Sequence, residues 1–210
     1  MSVTKFILER AMDMVKVASD DPTRLNITGV YIVAKENKVT LTATDGCMLL
    51  TREFAGNWPD GEYTLRREEL PALKALLKES KHIQEIECAI TADKGLLLGS
   101  FAVKVTLAAM SDQYPDYKRV IPSYEQPCAI AFDAEFLAAI AKCLQDGDRR
   151  HQSRVIIEFD PKDPDRPVLV HGFNPDTAGV GVIMPLHCDR AKTISGSLRA
   201  RLEENTEEVA

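Results

Sequence analysis

One pattern occurs three times along this chain: a short strand, an amphipathic helix and then about three strands, with a period of roughly sixty residues. A repeat of that length must bury a one-sided helix and a one-sided sheet against each other. It therefore predicts an α+β architecture in which helices cover one face of antiparallel sheets, and strands of successive repeats can join into longer sheets.

The first repeat opens at Val3 to Phe6 and runs into a helix whose apolar stripe is Leu8, Ala11, Met12 and Val15, spaced to put one face inward. Strands follow at Ile27 to Ala34, Val39 to Thr44 and Met48 to Phe54, with Lys35 to Asn37 as the first turn. The second begins at Glu62 to Leu65 and enters a helix near Glu68. Pro71 falls in the first turn, where its missing N–H leaves nothing unpaired. Leu70, Leu73 and Leu77 form the stripe, and strands follow at Ile83 to Ile90, Leu96 to Gly99 and Phe101 to Leu107. The third runs from Cys128 to Phe132, with Asp133 as N-cap of a helix carrying Phe136, Ile140 and Cys143 on one side. Its strands are Arg154 to Phe159, Pro167 to His171 and Ala178 to Met184, the first two joined by the turn-forming PKDPDRP. Beyond Cys188 the chain is polar and ends EENTEEVA, a solvated or loosely helical tail with Ile194, Leu198 and Leu202 at helical spacing.

The N-terminus carries Lys5, Glu9 and Arg10 and lacks a signal-peptide core, and no apolar run approaches the roughly 20 residues that cross a bilayer. A cytoplasmic protein is expected. Five cysteines, odd in number and without a C-x-x-C pair, argue against a disulfide framework and against a zinc site. The net charge of −6 excludes a simple basic DNA binder, so any contact with nucleic acid must come from a local patch.

Two phrases, ITGVYIV…KVTLTATDGCMLL (Ile27 to Leu50) and YPDYKRVIP (Tyr114 to Pro122), resemble signature stretches of the bacterial DNA polymerase III beta subunit, the sliding-clamp family. A third, GVGVIMPL (Gly179 to Leu186), is similar to the strand that closes that family's last domain. The resemblance covers about residues 2 to 187, in the same order. It implies a DNA-clamp fold. Residues 1–122 would form one domain of two repeats, 123–188 a third repeat that is half of a further domain, and 189–210 a tail.

The implied function is that of a non-enzymatic processivity factor. It would tether a polymerase to double-stranded DNA without reading sequence and receive polymerase and clamp-loader peptides in a hydrophobic groove. Carried over residue by residue, the groove falls on Ile27, Thr44, Gly46, Met48, Leu49, Pro115, Val120, Val182 and Met184. Each alone is also an ordinary core residue type; the set carries the assignment. Where the family has histidine and arginine after ATDG, this chain has Cys47 and Met48, which makes the rim less polar. The helices would face DNA phosphates through Arg10, Lys16, Lys74, Lys78, Lys142, Arg149 and Arg150, diluted by Glu9 and Asp13.

A family chain has six repeats and closes its ring as a dimer. Three repeats imply a homo-oligomer, the simplest being a two-fold dimer that pairs third repeats. Two other readings stay open. One is a clamp-like adaptor or decoy that binds partner peptides without forming a ring. The other is a cysteine-dependent enzyme using Cys47 with His82, His151, His171 or His187, or the carboxylates Asp163 and Asp165. No nucleophile motif, metal-ligand spacing or phosphate loop supports the enzyme, and no cofactor or metal is implied.

Overall fold

The computed structural model describes residues 1–99, 103–109, 114–121, 130–144, 154–163, 165–173 and 179–186. They fall into two compact regions, Met1–Tyr117 and Lys118–Ala210. Pro122, Cys128, Arg149, Arg150, His151, His187, Cys188 and the tail from 189 lie outside the described residues. Among the described residues no helix is long and apolar enough to cross a membrane.

The N-terminal region holds β1 (Ser2–Thr4), α1 (Lys5–Met14), β2 (Gly29–Lys35), β3 (Lys38–Thr44) and β4 (Leu49–Ala55). It continues with β5 (Gly61–Arg66), α2 (Leu70–Glu79), β6 (Glu85–Ile90), β7 (Leu96–Gly99) and β8 (Lys104–Ala109). This is the strand–helix–three-strand pattern twice over. α1 buries Ile7, Leu8, Ala11 and Met14. Val15 is buried in the one-turn 3₁₀ extension, while Met12 is only partly buried against the core. α2 buries Leu73, Leu76 and Leu77, with Pro71 in its first turn and a 3₁₀ turn over Arg67–Glu69 before it. The N–H groups of a helix's first turn have no intrahelical partner, so proline there is tolerated.

Strand order is β1-β6-β7-β8-β5-β2-β3-β4. Each opening strand leaves its own repeat and pairs with the other: β1 joins β6 with Val3 opposite Ile86, and β5 joins β2 with Leu65 opposite Val30. The opening strands also meet the last strand of their own repeat. β5 pairs with β8 at Tyr63 and Thr64, and the Thr4 N–H donates to the Asn57 carbonyl at 2.9 Å, just past β4. The result is a reciprocal exchange of strands between two like halves.

Residues opposite each other in an antiparallel ladder share a face. The inner face therefore collects Val30, Ile32, Val39, Leu41, Leu65, Leu96, Leu98, Val105 and Leu107. All are buried, and they join α1 and α2 in one continuous core. Full burial of each such side chain contributes on the order of 1.5–3 kcal/mol. The two helices touch each other, α1 lying on β3 and α2 on β8.

The C-terminal region contains α3 (Ala134–Cys143), β9 (Val155–Glu158), β10 (Val168–Gly172) and β11 (Val180–Ile183), the sheet order being β11-β10-β9. Asp133 caps α3 by accepting from the Glu135 N–H at 2.8 Å. The aspartate-rich turn between β9 and β10 closes on Asp163 N–H to Asp160 O and Arg166 N–H to Asp163 O. Val168, Val170 and Ile183 are buried on the helix side. Ile140 of α3 seats directly on Gly181, where an added Cβ would stand 2.4 Å from its Cγ2. The opening stretch differs from the sequence expectation: residues 130–132 are not a strand, although the Leu186 N–H donates to the Ala131 carbonyl at 2.7 Å. The expected side of Phe136, Ile140 and Cys143 is not buried either; Phe136 and Cys143 are exposed.

Strand exchange makes one substitution diagnostic. A Cβ on Gly29 would stand 2.5 Å from the Leu65 carbonyl oxygen of the exchanged strand, whereas one on Gly99 would meet nothing within 4 Å. Gly29→Ala should therefore destabilise the protein by about 1–3 kcal/mol, and Gly99→Ala should leave it nearly unchanged. The check is the shift of the urea midpoint at constant slope.

Candidate functional site

The ATDG sequence makes a compact turn between β3 and β4. The Asp45 carboxylate accepts from the Cys47 and Met48 N–H groups, both at 2.8 Å. The Thr44 hydroxyl donates to the Met48 carbonyl at 2.7 Å and accepts from the Gly46 N–H at 3.1 Å. Gly46 has φ of +93°, a conformation strained for any residue with a Cβ. Arg24 braces the turn from outside, donating to the Asp45 carbonyl at 3.3 Å. The Met48 and Cys47 N–H groups hold the Asp45 carboxyl below its ordinary pKa of 3.8.

This turn gathers several of the residues expected at a groove. The Ser19 N–H is shared between the Ile27 carbonyl at 3.0 Å and the Thr44 carbonyl at 3.1 Å, which draws Ile27 beside the end of β3. Ile27 itself is buried in a 3₁₀ turn before β2, so its strand starts two residues later than expected. Leu49 pairs with Thr44, and the two lie on the outer face of the sheet, away from the helices. Met48 is half exposed at the tip.

On that same outer face the connector is pinned by aromatic stacking. Tyr114 lies flat on Tyr31 of β2 with ring centroids 4.6 Å apart and an interplanar angle of 12°. Tyr31 in turn donates to the Glu62 carboxylate at 2.7 Å. Burial pushes the Tyr114 phenol up to about 12, and its hydroxyl finds no partner among the described residues. Pro115 follows on the surface, its carbonyl accepting from the Tyr117 N–H at 2.7 Å. The sequence placed Tyr114 at the start of a signature stretch but gave no sign of its platform, Tyr31, or of the brace, Arg24.

In the C-terminal region Val120 is exposed on a short 3₁₀ turn. Val182 and Met184 lie on the face of β11 opposite α3, because the alternate residues Gly181 and Ile183 point toward the helix. They belong to a longer stripe, Val180, Val182, Met184 and Leu186, each between 55% and 65% exposed. Four large apolar side chains exposed at alternate positions, two on β11 and two just past its end, mark a surface suited to being covered. Val180 and Leu186 were legible by the same alternation and were missed.

The cations lie on the other side. Lys16, Lys74 and Lys78 are exposed on the solvent faces of α1's extension and α2, and Lys142 on that of α3. Arg10 is less available: its guanidinium is 3.2 Å from Asp13 and 5.2 Å from the Phe6 ring centroid. Thr44 and Leu49 in one region and Val182 in the other thus lie on the outer sheet face, and the cationic candidates lie on the helices. Among the described residues no group of histidine, cysteine, aspartate or glutamate could hold a metal. Cys47 is an exposed turn residue, His171 lies 3.4 Å from Glu158 on the neighbouring strand, and Asp163 and Asp165 sit in the β9–β10 turn.

No protein-family model and no curated protein matches the chain. Solved structures do. The DNA polymerase III beta chain of Streptococcus pneumoniae TIGR4 superposes with a TM-score of 0.70 at 17% identity, covering 89% of this chain and 49% of that one. The Pseudomonas aeruginosa DNA polymerase sliding clamp gives 0.70 at 15% identity, over 88% of this chain and 50% of that one. The Thermotoga maritima beta subunit gives 0.68 at 20% identity, over 95% and 55%. The chain has the sliding-clamp fold, and it spans about half the length of these structures.

The Asp45 bonds set a pH dependence. A carboxyl whose folded pKa is depressed contributes stability above its unfolded value and loses it as pH falls through the folded value. The turn should therefore hold at pH 5 and above and loosen below 3.8. Amide exchange at Cys47 and Met48 should accelerate on acidification beyond the intrinsic rate. Asp45→Ala should show the fast exchange already at pH 7.

Proposed function

We propose that the chain is a sliding-clamp-like processivity factor, a non-catalytic protein of DNA replication or repair. It tethers a polymerase or another partner to double-stranded DNA. The observation that carries this reading is the sliding-clamp fold over 88–95% of the chain at TM-scores near 0.7. The division of surfaces within each region supports it. An apolar outer face suits the hydrophobic anchors of partner peptides, and lysines on the helices suit phosphate contacts that carry no sequence information.

In this reading two surfaces engage partner peptides: the TDG turn with Ile27, Thr44, Gly46, Met48, Leu49 and Pro115, and the connector and outer strand with Val120, Val182 and Met184. Lys16, Lys74, Lys78 and Lys142, with Arg10, Arg149 and Arg150, meet DNA phosphates loosely. Tethering raises the local concentration of polymerase at the primer end without any bond being made or broken. The protein works in the cytoplasm as a homo-oligomer and needs no cofactor.

A second reading is an adaptor or decoy that binds clamp-directed peptides without encircling DNA. The net charge of −6 and the Asp13 carboxylate beside Arg10 favour it, since both weaken phosphate binding.

Two readouts on one preparation decide between them. A fluorescent peptide carrying the clamp-binding sequence of a bacterial DNA polymerase III should bind, and Met184→Glu should weaken it about tenfold, or 1.4 kcal/mol. The protein, loaded by a clamp loader, should stay on nicked circular DNA and slide off once that DNA is linearised. Equal release from both forms with peptide binding intact establishes the adaptor. Absence of peptide binding and of retention overturns both readings.

A further inference from the structure

The end of a helix leaves its last carbonyl groups without intrahelical partners. α1 has no basic residue in its own last turn, and Lys16 of its 3₁₀ extension is exposed. The cap comes from the other repeat. Arg67 is the first residue past β5, the exchanged strand whose Leu65 pairs with Val30 and whose Arg66 pairs with Gly29. Its carbonyl accepts from the Leu70 N–H at the entrance to α2, so its backbone is held on both sides. From there the Arg67 Nη2 donates to the Val15 carbonyl at 3.1 Å and to the Ala18 carbonyl at 2.9 Å. A guanidinium suits this place because it offers several donors in one plane and brings positive charge to the negative end of a helix.

The Ala18 carbonyl and the Ser19 N–H belong to one peptide unit, and both residues are only 4% exposed. Arg67 holds the oxygen end of that unit. The N–H end is the donor shared by the Ile27 carbonyl at 3.0 Å and the Thr44 carbonyl at 3.1 Å. Donation to an amide oxygen polarises the amide and strengthens its N–H as a donor, so the charge on Arg67 acts through a single peptide plane on both carbonyls. A second route runs along the loop. The Ser19 hydroxyl accepts from the Asp21 N–H at 3.1 Å, the Asp21 carbonyl accepts from the Arg24 N–H at 3.1 Å, and the Arg24 side chain reaches the Asp45 carbonyl. Both routes end on the TDG turn.

We infer that Arg67 is a positioning residue for the peptide-binding surface at the TDG turn, acting through the Ala18–Ser19 peptide unit. The surface is built from the first repeat, yet its shape is set by the second, through the residue that follows the exchanged strand. Removing the guanidinium loosens the Ser19 N–H, and with it the spacing of Ile27 from Thr44. The inference rests on the proposed function for its partner, a clamp-binding peptide, and on these hydrogen bonds for its linkage.

The test compares Arg67→Ala, Arg67→Lys and Leu98→Val, the last a core truncation on β7, which pairs with neither β2 nor β5. In Arg67→Ala the Ser19 amide proton should move upfield and exchange at least tenfold faster, with the Gly46 and Cys47 amides following. Affinity for a fluorescent clamp-binding peptide should fall about fivefold. A cavity of about 430 Å³ lined by Ser19, Thr28, Arg66 and Arg67 lies beside the contact, so low millimolar methylguanidinium should restore both readouts. Arg67→Lys keeps the charge but not the fork and should fall between; it carries the comparison if Arg67→Ala does not fold. Leu98→Val should lower the urea midpoint and leave the Ser19 shift and the peptide affinity at their wild-type values. Unchanged Ser19 and Gly46 amides in the folded Arg67 variants, a Ser19 shift reproduced by Leu98→Val, or altered amides with unchanged peptide affinity each overturn the inference. A wild type that binds no peptide sinks the functional reading, and the same amides still decide whether Arg67 sets the turn.

Discussion

The contact on which the structure depends is the exchange of opening strands, β1 onto β6 and β5 onto β2. Without it each half would be a helix on three strands with one raw edge, too small and too open to seal its apolar face. With it, Val3 and Ile86 on one seam and Leu65 and Val30 on the other become buried, and two modest amphipathic helices close over one continuous core. Gly29 shows how close the seam is: it brings the β2 backbone against the Leu65 carbonyl at a distance no side chain would allow.

The same architecture separates two kinds of surface. A sheet whose inner face is committed to helices leaves its outer face to be functionalised independently. In the N-terminal region that face carries the Tyr31–Tyr114 stack, Thr44 and Leu49 beside a turn held rigid by Asp45. In the C-terminal region it carries Val180 and Val182, with Met184 and Leu186 exposed just past the strand. The helices keep their lysines on the opposite side. Under the proposed function this separation keeps apolar anchoring of a partner and loose phosphate contact from interfering on one face.

Much of the fold was legible because periodicity reports which face of an element is buried. Leu8, Ala11 and Val15, and Leu73 and Leu77, all landed inward, and Asp133 acts through a bond local enough to read from a few residues. Alternation fixes a face but not a neighbour. Val3 is equally apolar beside Val30 or Ile86, so the exchange had no local signature. How deeply each residue of an apolar stripe is buried was likewise beyond reach. Phe136 and Ile140 share a stripe, yet Ile140 rests on Gly181 while Phe136 stands in solvent. Of the groove candidates, Ile27 and Thr44 are drawn together by a single backbone donor, Ser19, a contact that residue types do not announce.

The exchange itself is open to direct observation by nuclear magnetic resonance on the isotopically labelled protein. Cross-strand contacts between backbone protons of Val3 and Ile86, and of Val30 and Leu65, are predicted, with none between β1 and β2. Contacts from β1 to β2, or from β5 to β6, would mean that each repeat closes on itself, and would contradict the account at its foundation.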